Sequence, residues 1–327
     1  MKHLFDPALL SLVEEQLRLN EAVRQGALSL APVASIDAAT LRRSRSHNRD
    51  GSIKPPLDAI GQDGWIKLAD GRKVAARVFA VDAPNGIFVH YHGGGWALGS
   101  IYEQDAYLGE IARAAQVKVI SVDYPLAPEN SLPEILETSL SALDAIVAAH
   151  PGMRVCVGGE SAGGHVALTS LIGLRSRSER LAAIAGLVLC YPITDLSMTP
   201  SQRSWGSDFL NLSTPWLEWF YALALPGLSR DERSAPEFSP LYADLGGLPP
   251  ALFCVGELDP LLDDTLFLER RWAAAGNRGR LHLFPSAPHG FNGQPTQMAA
   301  ACNRLIQDFI AERVGASTGR AGAGPID

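Results

Sequence analysis

Val155-Cys156-Val157-Gly158-Gly159-Glu160-Ser161-Ala162-Gly163-Gly164-His165-Val166-Ala167-Leu168 decides the reading of the chain. A short β-branched run meets glycines on both sides of one serine, and an apolar pattern at helical spacing then begins, which predicts strand, sharp turn and helix. Gly159 to Gly163 fits G-x-S-x-G, whose glycines let backbone segments approach closely. Ser161 is thereby expected at a helix N-terminus, where partial positive charge favours a developing anion. Two other glycine-rich readings fail on the residues that would do the chemistry. A phosphate-binding loop needs a lysine where His165 stands, and a dinucleotide fingerprint needs glycine where Glu160 stands.

Upstream, the compact apolar strand Ile87–His90 runs into His92-Gly93-Gly94-Gly95-Trp96. Three consecutive glycines cost conformational entropy, so either this is a flexible turn or bare backbone is required there. An oxyanion hole has that requirement, because its amide N–H groups must face the oxygen of a tetrahedral intermediate without side chains in between. Strands are further expected at 64–68, 73–80, 117–122, 185–190, 252–255 and 281–284, and helices from Asp6-Pro7 through Val23, at 102–115, at 132–149 and at 297–314. Leu9, Leu10, Val13, Leu17 and Val23 form the apolar stripe of the first helix. Such alternation predicts a mainly parallel sheet covered on both faces, with ligands beyond the carboxyl ends of its strands.

The alternation stops between Asp195 and Leu241, where Trp205, Phe209, Leu210, Trp216, Trp219, Phe220 and Tyr221 gather among prolines. An aromatic insertion after a strand's carboxyl end reads as a lid touching substrate, although ordinary helix packing explains any single one of these rings equally well. Arg42-Arg43-Ser44-Arg45 reads as a solvated face or a mobile arm, and the stretch through Pro55-Pro56 as irregular. The glycine- and alanine-rich residues 315–327 read as a disordered tail.

Composition sets outer bounds. The 327 residues are 46% hydrophobic and 19% charged, which suits one large α/β domain with accessory segments. A net charge of −7 and a pI near 5.6 argue against nucleic acid or an anionic membrane as partner. The N-terminus does not read as a signal peptide, and no stretch reaches membrane-spanning length. Cys156, Cys190, Cys254 and Cys302 show no paired spacing, so buried reduced thiols and a cytoplasmic location are expected.

A serine hydroxyl becomes a nucleophile only when a base takes its proton and a third group holds that base in one tautomer. His289 follows the final strand in a loop flanked by proline and glycine. His90, His92, His165 and His282 occupy strands, the glycine loop or the helix after the serine. Asp259, at the end of the 252–255 strand, ranks first as the acid and Asp263 second, while Asp259 as a mere helix cap and Asp263 and Asp264 as first-turn aspartates are the plain alternatives. Glu160 reads as a hydrogen-bonding neighbour of the nucleophile.

Together, His92-Gly-Gly-Gly-Trp96, Tyr124-Pro-Leu-Ala-Pro-Glu129, Gly159-Glu-Ser-Ala-Gly163, Asp259-Pro-Leu261 and His289-Gly-Phe291 resemble the motifs of the hormone-sensitive-lipase-like carboxylesterases. Pro125, Asn130-Ser131 and His165 depart from the commoner residues of that family. The resemblance implies an α/β-hydrolase fold with an eight-stranded, mostly parallel sheet. Its core would comprise 61–194 and 242–314, under a helical cap built from residues 1–60 and the 195–241 insertion. It further implies a triad of Ser161, His289 and Asp259, and an oxyanion hole from the amides of Gly94, Gly95 and Ala162. Trp96, Tyr191, Phe209, Leu210 and Phe291 are the pocket candidates. Hydrolysis of small short-acyl or aryl esters is the expected activity, with neither metal nor organic cofactor. The same machinery would serve an amide, carbamate or lactone. A non-catalytic receptor on this fold would be expected to lack a triad member. The architecture permits a homodimer without demanding one.

Overall fold

The computed structural model describes residues 5–27, 37–46 and 57–315, so the expectations for Pro55-Pro56 and for the tail beyond Gly315 lie outside the described residues. Three helices, α1 (Pro7–Leu10), α2 (Val13–Ala27) and α3 (Ala38–Ser46), come first. They are followed by β1 (Gly61–Lys67), β2 (Lys73–Phe79), β3 (Gly86–Tyr91), α4 (Asp105–Ala115), β4 (Val117–Val122), α5 (Leu132–Ala149), β5 (Val155–Glu160), α6 (Ala162–Leu174), α7 (Ser178–Ala182) and β6 (Ile184–Cys190). The 195–241 region contributes α8 (Pro200–Ser204) and α9 (Thr214–Ala224). The chain then returns to the sheet with β7 (Ala251–Leu258), α10 (Leu262–Ala274), β8 (Gly279–Pro288) and α11 (Gln297–Gly315).

The eight strands form one sheet in the order β1-β2-β4-β3-β5-β6-β7-β8. β2 runs antiparallel to β1 and β4, and every other pair is parallel. Parallel neighbours need long crossovers, here supplied mostly by helices, so the central strands are covered on both faces and read as continuous apolar runs. The two-residue period of each strand divides the core. Val89 and Tyr91, Val155 and Val157, and Leu187 and Leu189 join one cluster with α5 and α6. Phe88, Cys156, Val188 and Cys254 join another with α4 and α11.

Register places the site. Tyr91 pairs with Gly159, so the loop after β3 and the turn after β5 leave the sheet side by side. Beyond a register shift, Leu258 pairs with Pro288, so the residues after β7 and β8 also emerge together. Local chemistry fixes the helix starts. Asp6 caps α1 by accepting from Ala8 N at 2.9 Å, and at the head of α5 Ser131 N and Oγ both donate to Glu134 Oε2, at 2.8 and 2.7 Å.

The first helix departs from expectation. It breaks into α1 and α2, and Leu10 and Leu17 of the predicted stripe are exposed while Gln16 and Asn20 are fully buried. Val13 at the start of α2 packs against the apolar core, but the fully buried residues of α2 meet polar groups. Gln16 Nε2 donates to Gln294 Oε1 at 2.7 Å and to Asn20 Oδ1 at 3.0 Å, and Asn20 Nδ2 donates to the Ser286 carbonyl at 2.8 Å. Apolar periodicity is blind to a face that closes on hydrogen bonds.

Candidate active site

Ser161 stands between β5 and α6 with φ 56° and ψ −121°, a conformation costly for a residue with a side chain. The surroundings hold it there. Ser161 N donates to the Cys190 carbonyl at 2.9 Å, and a Cβ at Gly163 would stand 2.0 Å from the Tyr91 carbonyl oxygen, so only glycine lets α6 start this close to β3.

His289 Nε2 lies 3.0 Å from Ser161 Oγ, and its Nδ1 lies 3.0 and 3.1 Å from the two carboxylate oxygens of Asp259. With Nδ1–H donating to Asp259, the Nε2 lone pair faces the serine hydroxyl. Asp259 is almost fully buried and also accepts from Leu261 N at 2.8 Å. Asp263 does not reach the imidazole; its Oδ2 accepts from Ser201 N at 2.8 Å. The His289 ring sits against the Tyr191 ring, with centroids 4.7 Å apart, and its carbonyl accepts from Asn211 Nδ2 at 3.1 Å.

Glu160, beside the nucleophile, faces away from the imidazole. Its Oε2 lies 2.8 Å from His90 Nε2, and His90 Nδ1 lies 3.0 Å from Ser121 Oγ. Burial opposes the carboxylate charge, but His90, Gln104 and Tyr107 outweigh it and hold the carboxyl below its usual range.

A cavity of about 460 Å³ opens over Ser161 and His289. Gly93, Gly94 and Gly95 line it on one side, and among the described residues no hydrogen bond uses the amide N–H of Gly94, Gly95 or Ala162. The Ala162 amide opens α6, where the first N–H groups of a helix lack intrahelical acceptors.

Of the pocket candidates, Tyr191 and Phe209 line the cavity. Trp96, Leu210 and Phe291 do not. Trp96 has a positive φ of 58°, is fully buried and donates from Nε1 to His165 Nδ1 at 3.3 Å. Leu210 is fully buried, and Phe291 packs on Phe284 in the core face opposite α5 and α6. Sequence reading named Phe220 among the rings of the insertion, but missed Ile193, Leu212 and Leu217 on the apolar wall, and Ser100, Glu103, Gln104, Asn211 and Asn292 among the polar groups. Spacing along α9 could have flagged Leu217 and Phe220, which are three apart and share a face. Among the described residues no group of three or more His, Cys, Asp or Glu is placed to hold a metal, and no helix is long and apolar enough to cross a membrane.

The profile of the α/β-hydrolase fold family matches residues 88–293. This chain belongs to that family. Relatives of the hydrolase include LipN, a carboxylic ester hydrolase of Mycobacterium tuberculosis, which is 37% identical over 219 residues. That match spans 63% of this chain but only 57% of LipN. An ethyl acetate hydrolase of Pseudomonas putida is 32% identical over 292 residues, covering 84% of this chain and 89% of the relative. A hyperthermophilic esterase from the archaeon Pyrobaculum calidifontis superposes with a TM-score of 0.78 at 26% identity, covering 94% of this hydrolase and 98% of that chain. These likenesses bear out the resemblance to hormone-sensitive-lipase-like carboxylesterases.

Proposed function

We propose that this α/β-hydrolase cleaves carboxylic esters by acyl transfer to Ser161 and then to water. His289 takes the Ser161 proton as Oγ attacks the ester carbonyl, and Asp259 holds the imidazole and stabilises it when it becomes cationic. The amides of Gly94, Gly95 and Ala162 receive the oxyanion. His289 then protonates the leaving alcohol, and a water activated by the same imidazole hydrolyses the acyl-enzyme. What carries the reading is the imidazole of His289, 3.0 Å from both Ser161 Oγ and Asp259, at the wall of a cavity lined by Gly94 and Gly95.

Residues 195–241 serve as the cap, since Phe209, Leu212, Leu217 and Phe220 form the apolar wall. A cavity of about 460 Å³ suits a short acyl chain or an aryl alcohol better than a long-chain triglyceride. A relative named for ethyl acetate hydrolysis is in keeping with that size. The test is a p-nitrophenyl ester series from acetate to palmitate with wild type and Ser161→Ala. Turnover should be highest at short chains and fall by at least about 10⁴-fold in the variant, as removal of a triad nucleophile does elsewhere. Undiminished turnover by Ser161→Ala, or none by wild type on any activated ester, would end this reading.

A further inference from the structure

Arg42 belongs to a basic run whose composition predicts a solvated face, and its neighbour Arg43 is indeed exposed. Arg42 itself turns inward, with its side chain only 22% exposed. From α3 its Nε donates to the Ala97 carbonyl at 2.9 Å, and its Nη2 donates to the Ala127 carbonyl at 2.9 Å and to Glu129 Oε2 at 3.0 Å. Both alanines are fully buried.

The two carbonyls bracket the glycine loop. Ala97 N and Leu98 N donate to the Gly94 carbonyl at 3.2 and 2.8 Å, closing the turn that presents Gly94 and Gly95. Ala127 N donates to the Trp96 carbonyl at 2.8 Å, tying that turn to the Tyr124–Glu129 corner. Gly93 to Gly95 have no side chains with which to fix themselves, and Gly94 and Gly95 both adopt positive φ, 119° and 59°. A restraint from outside is therefore needed if the amides are to point one way. A guanidinium is suited to it, because its planar fork holds several acceptors in one fixed arrangement.

We infer that Arg42 is a positioning residue for the oxyanion-binding loop: by joining the Ala97 and Ala127 carbonyls it sets the tilt of the Gly94–Leu98 turn and the aim of the Gly94 and Gly95 amides. The inference rests on the esterase reading above. Amides that stabilise charge only as it develops act on kcat, and misdirecting them leaves ground-state binding almost untouched.

The experiment compares wild type, Arg42→Gln, Arg42→Lys and Glu129→Gln on p-nitrophenyl butyrate, and measures inhibition by a trifluoromethyl ketone, whose serine adduct carries an oxyanion. Rates are normalised to folded protein by circular dichroism. Arg42→Gln should lower kcat by about tenfold, a fraction of the loss seen on deleting an oxyanion donor, with KM within about twofold and ketone affinity falling in step with kcat. Arg42→Lys should fall similarly, since an ammonium cannot bridge two carbonyls. Glu129→Gln should stay within about twofold of wild type, because the exposed ion pair contributes little. Should Arg42→Gln fold poorly, the lysine variant reads the same split. The inference is overturned by wild-type kcat and ketone affinity in Arg42→Gln, by full activity in Arg42→Lys, by a Glu129→Gln loss that matches Arg42→Gln, or by losses no larger than the loss of folded protein. An inactive wild type would instead remove the esterase reading itself.

Discussion

Asp259, Asp263 and Asp264 lie close together in sequence, and geometry gives each a different partner. Asp259 faces the imidazole, Asp263 caps the backbone at Ser201, and Asp264 accepts from Thr194 N, Asp195 N, Thr199 Oγ1 and Gln202 Nε2 between 2.7 and 3.0 Å. Sequence alone ranks the first above the second by nearness to a strand end. Exchange to the amide separates them. Asp259→Asn should lower kcat by about 10⁴-fold, because an amide cannot hold the Nδ1–H tautomer, with little change in the melting temperature. Asp263→Asn should keep kcat within about threefold and show any effect as a small stability change. Steady-state kinetics with thermal melts check both, and equal kinetic losses would mean that the acid has been misassigned.

At the level of elements, the contacts between the 195–241 segment and the rest of the chain were the least legible in sequence. A Cβ at Gly95 would stand 2.1 Å from Phe220 Cδ1, so α9 rests directly on the glycine loop. Gly95→Ala should therefore depress both activity and the melting temperature, and Phe220→Leu added to it should recover part of each. A double-mutant cycle should give a coupling of about 0.5–3 kcal/mol, and strict additivity would refute the contact's importance. Asn20 carries the equivalent argument for the opposite side of the site. Asn20→Ala would strip the Ser286 carbonyl of a buried donor near the loop that bears His289, and should cost about 1–3 kcal/mol in urea unfolding. The strands, the serine turn and the order of Ser161, Asp259 and His289 were readable because each rests on local chemistry: β-branched runs, glycines at close approaches, and loops at strand ends. Trp96, Leu210 and Phe291 misled because residue type reports apolarity but not which way a side chain turns. Arg42 was misjudged, and the buried Gln16 and Asn20 drew no reading, because a polar side chain becomes interior only when distant acceptors happen to receive it.

Across the whole molecule, the 195–241 segment is fastened to the core through two buried ionisable groups with opposite pH responses. Burial pushes Asp264 up from 3.8 to about 7, against the hydrogen bonds it accepts, and burial pushes His165 down from 6.5 to about 4. His165 joins the end of the glycine loop to the 195–241 segment, accepting from Trp96 and donating from Nε2 to the Phe238 carbonyl at 2.7 Å. Because folded Asp264 holds a proton that the unfolded chain has released, its contribution to stability is full below pH 3.8 and is lost as pH rises toward 7. Folded His165 stays neutral where the unfolded chain would be cationic, so its contribution is full above pH 6.5 and is lost as pH falls toward 4. The two slopes, each at most about 1.4 kcal/mol per pH unit, oppose one another over most of that range and conceal each other in wild type. Single variants should uncover them. Urea unfolding of Asp264→Asn from pH 4 to 8 should show stability climbing to about pH 6.5 more steeply than in wild type, as only the histidine response is left. His165→Asn, which removes the titrating ring, should instead lose stability steadily toward pH 7. Parallel profiles for Asp264→Asn, His165→Asn and wild type would mean that neither group changes its proton affinity on folding, and that the 195–241 segment is held by packing and neutral hydrogen bonds alone.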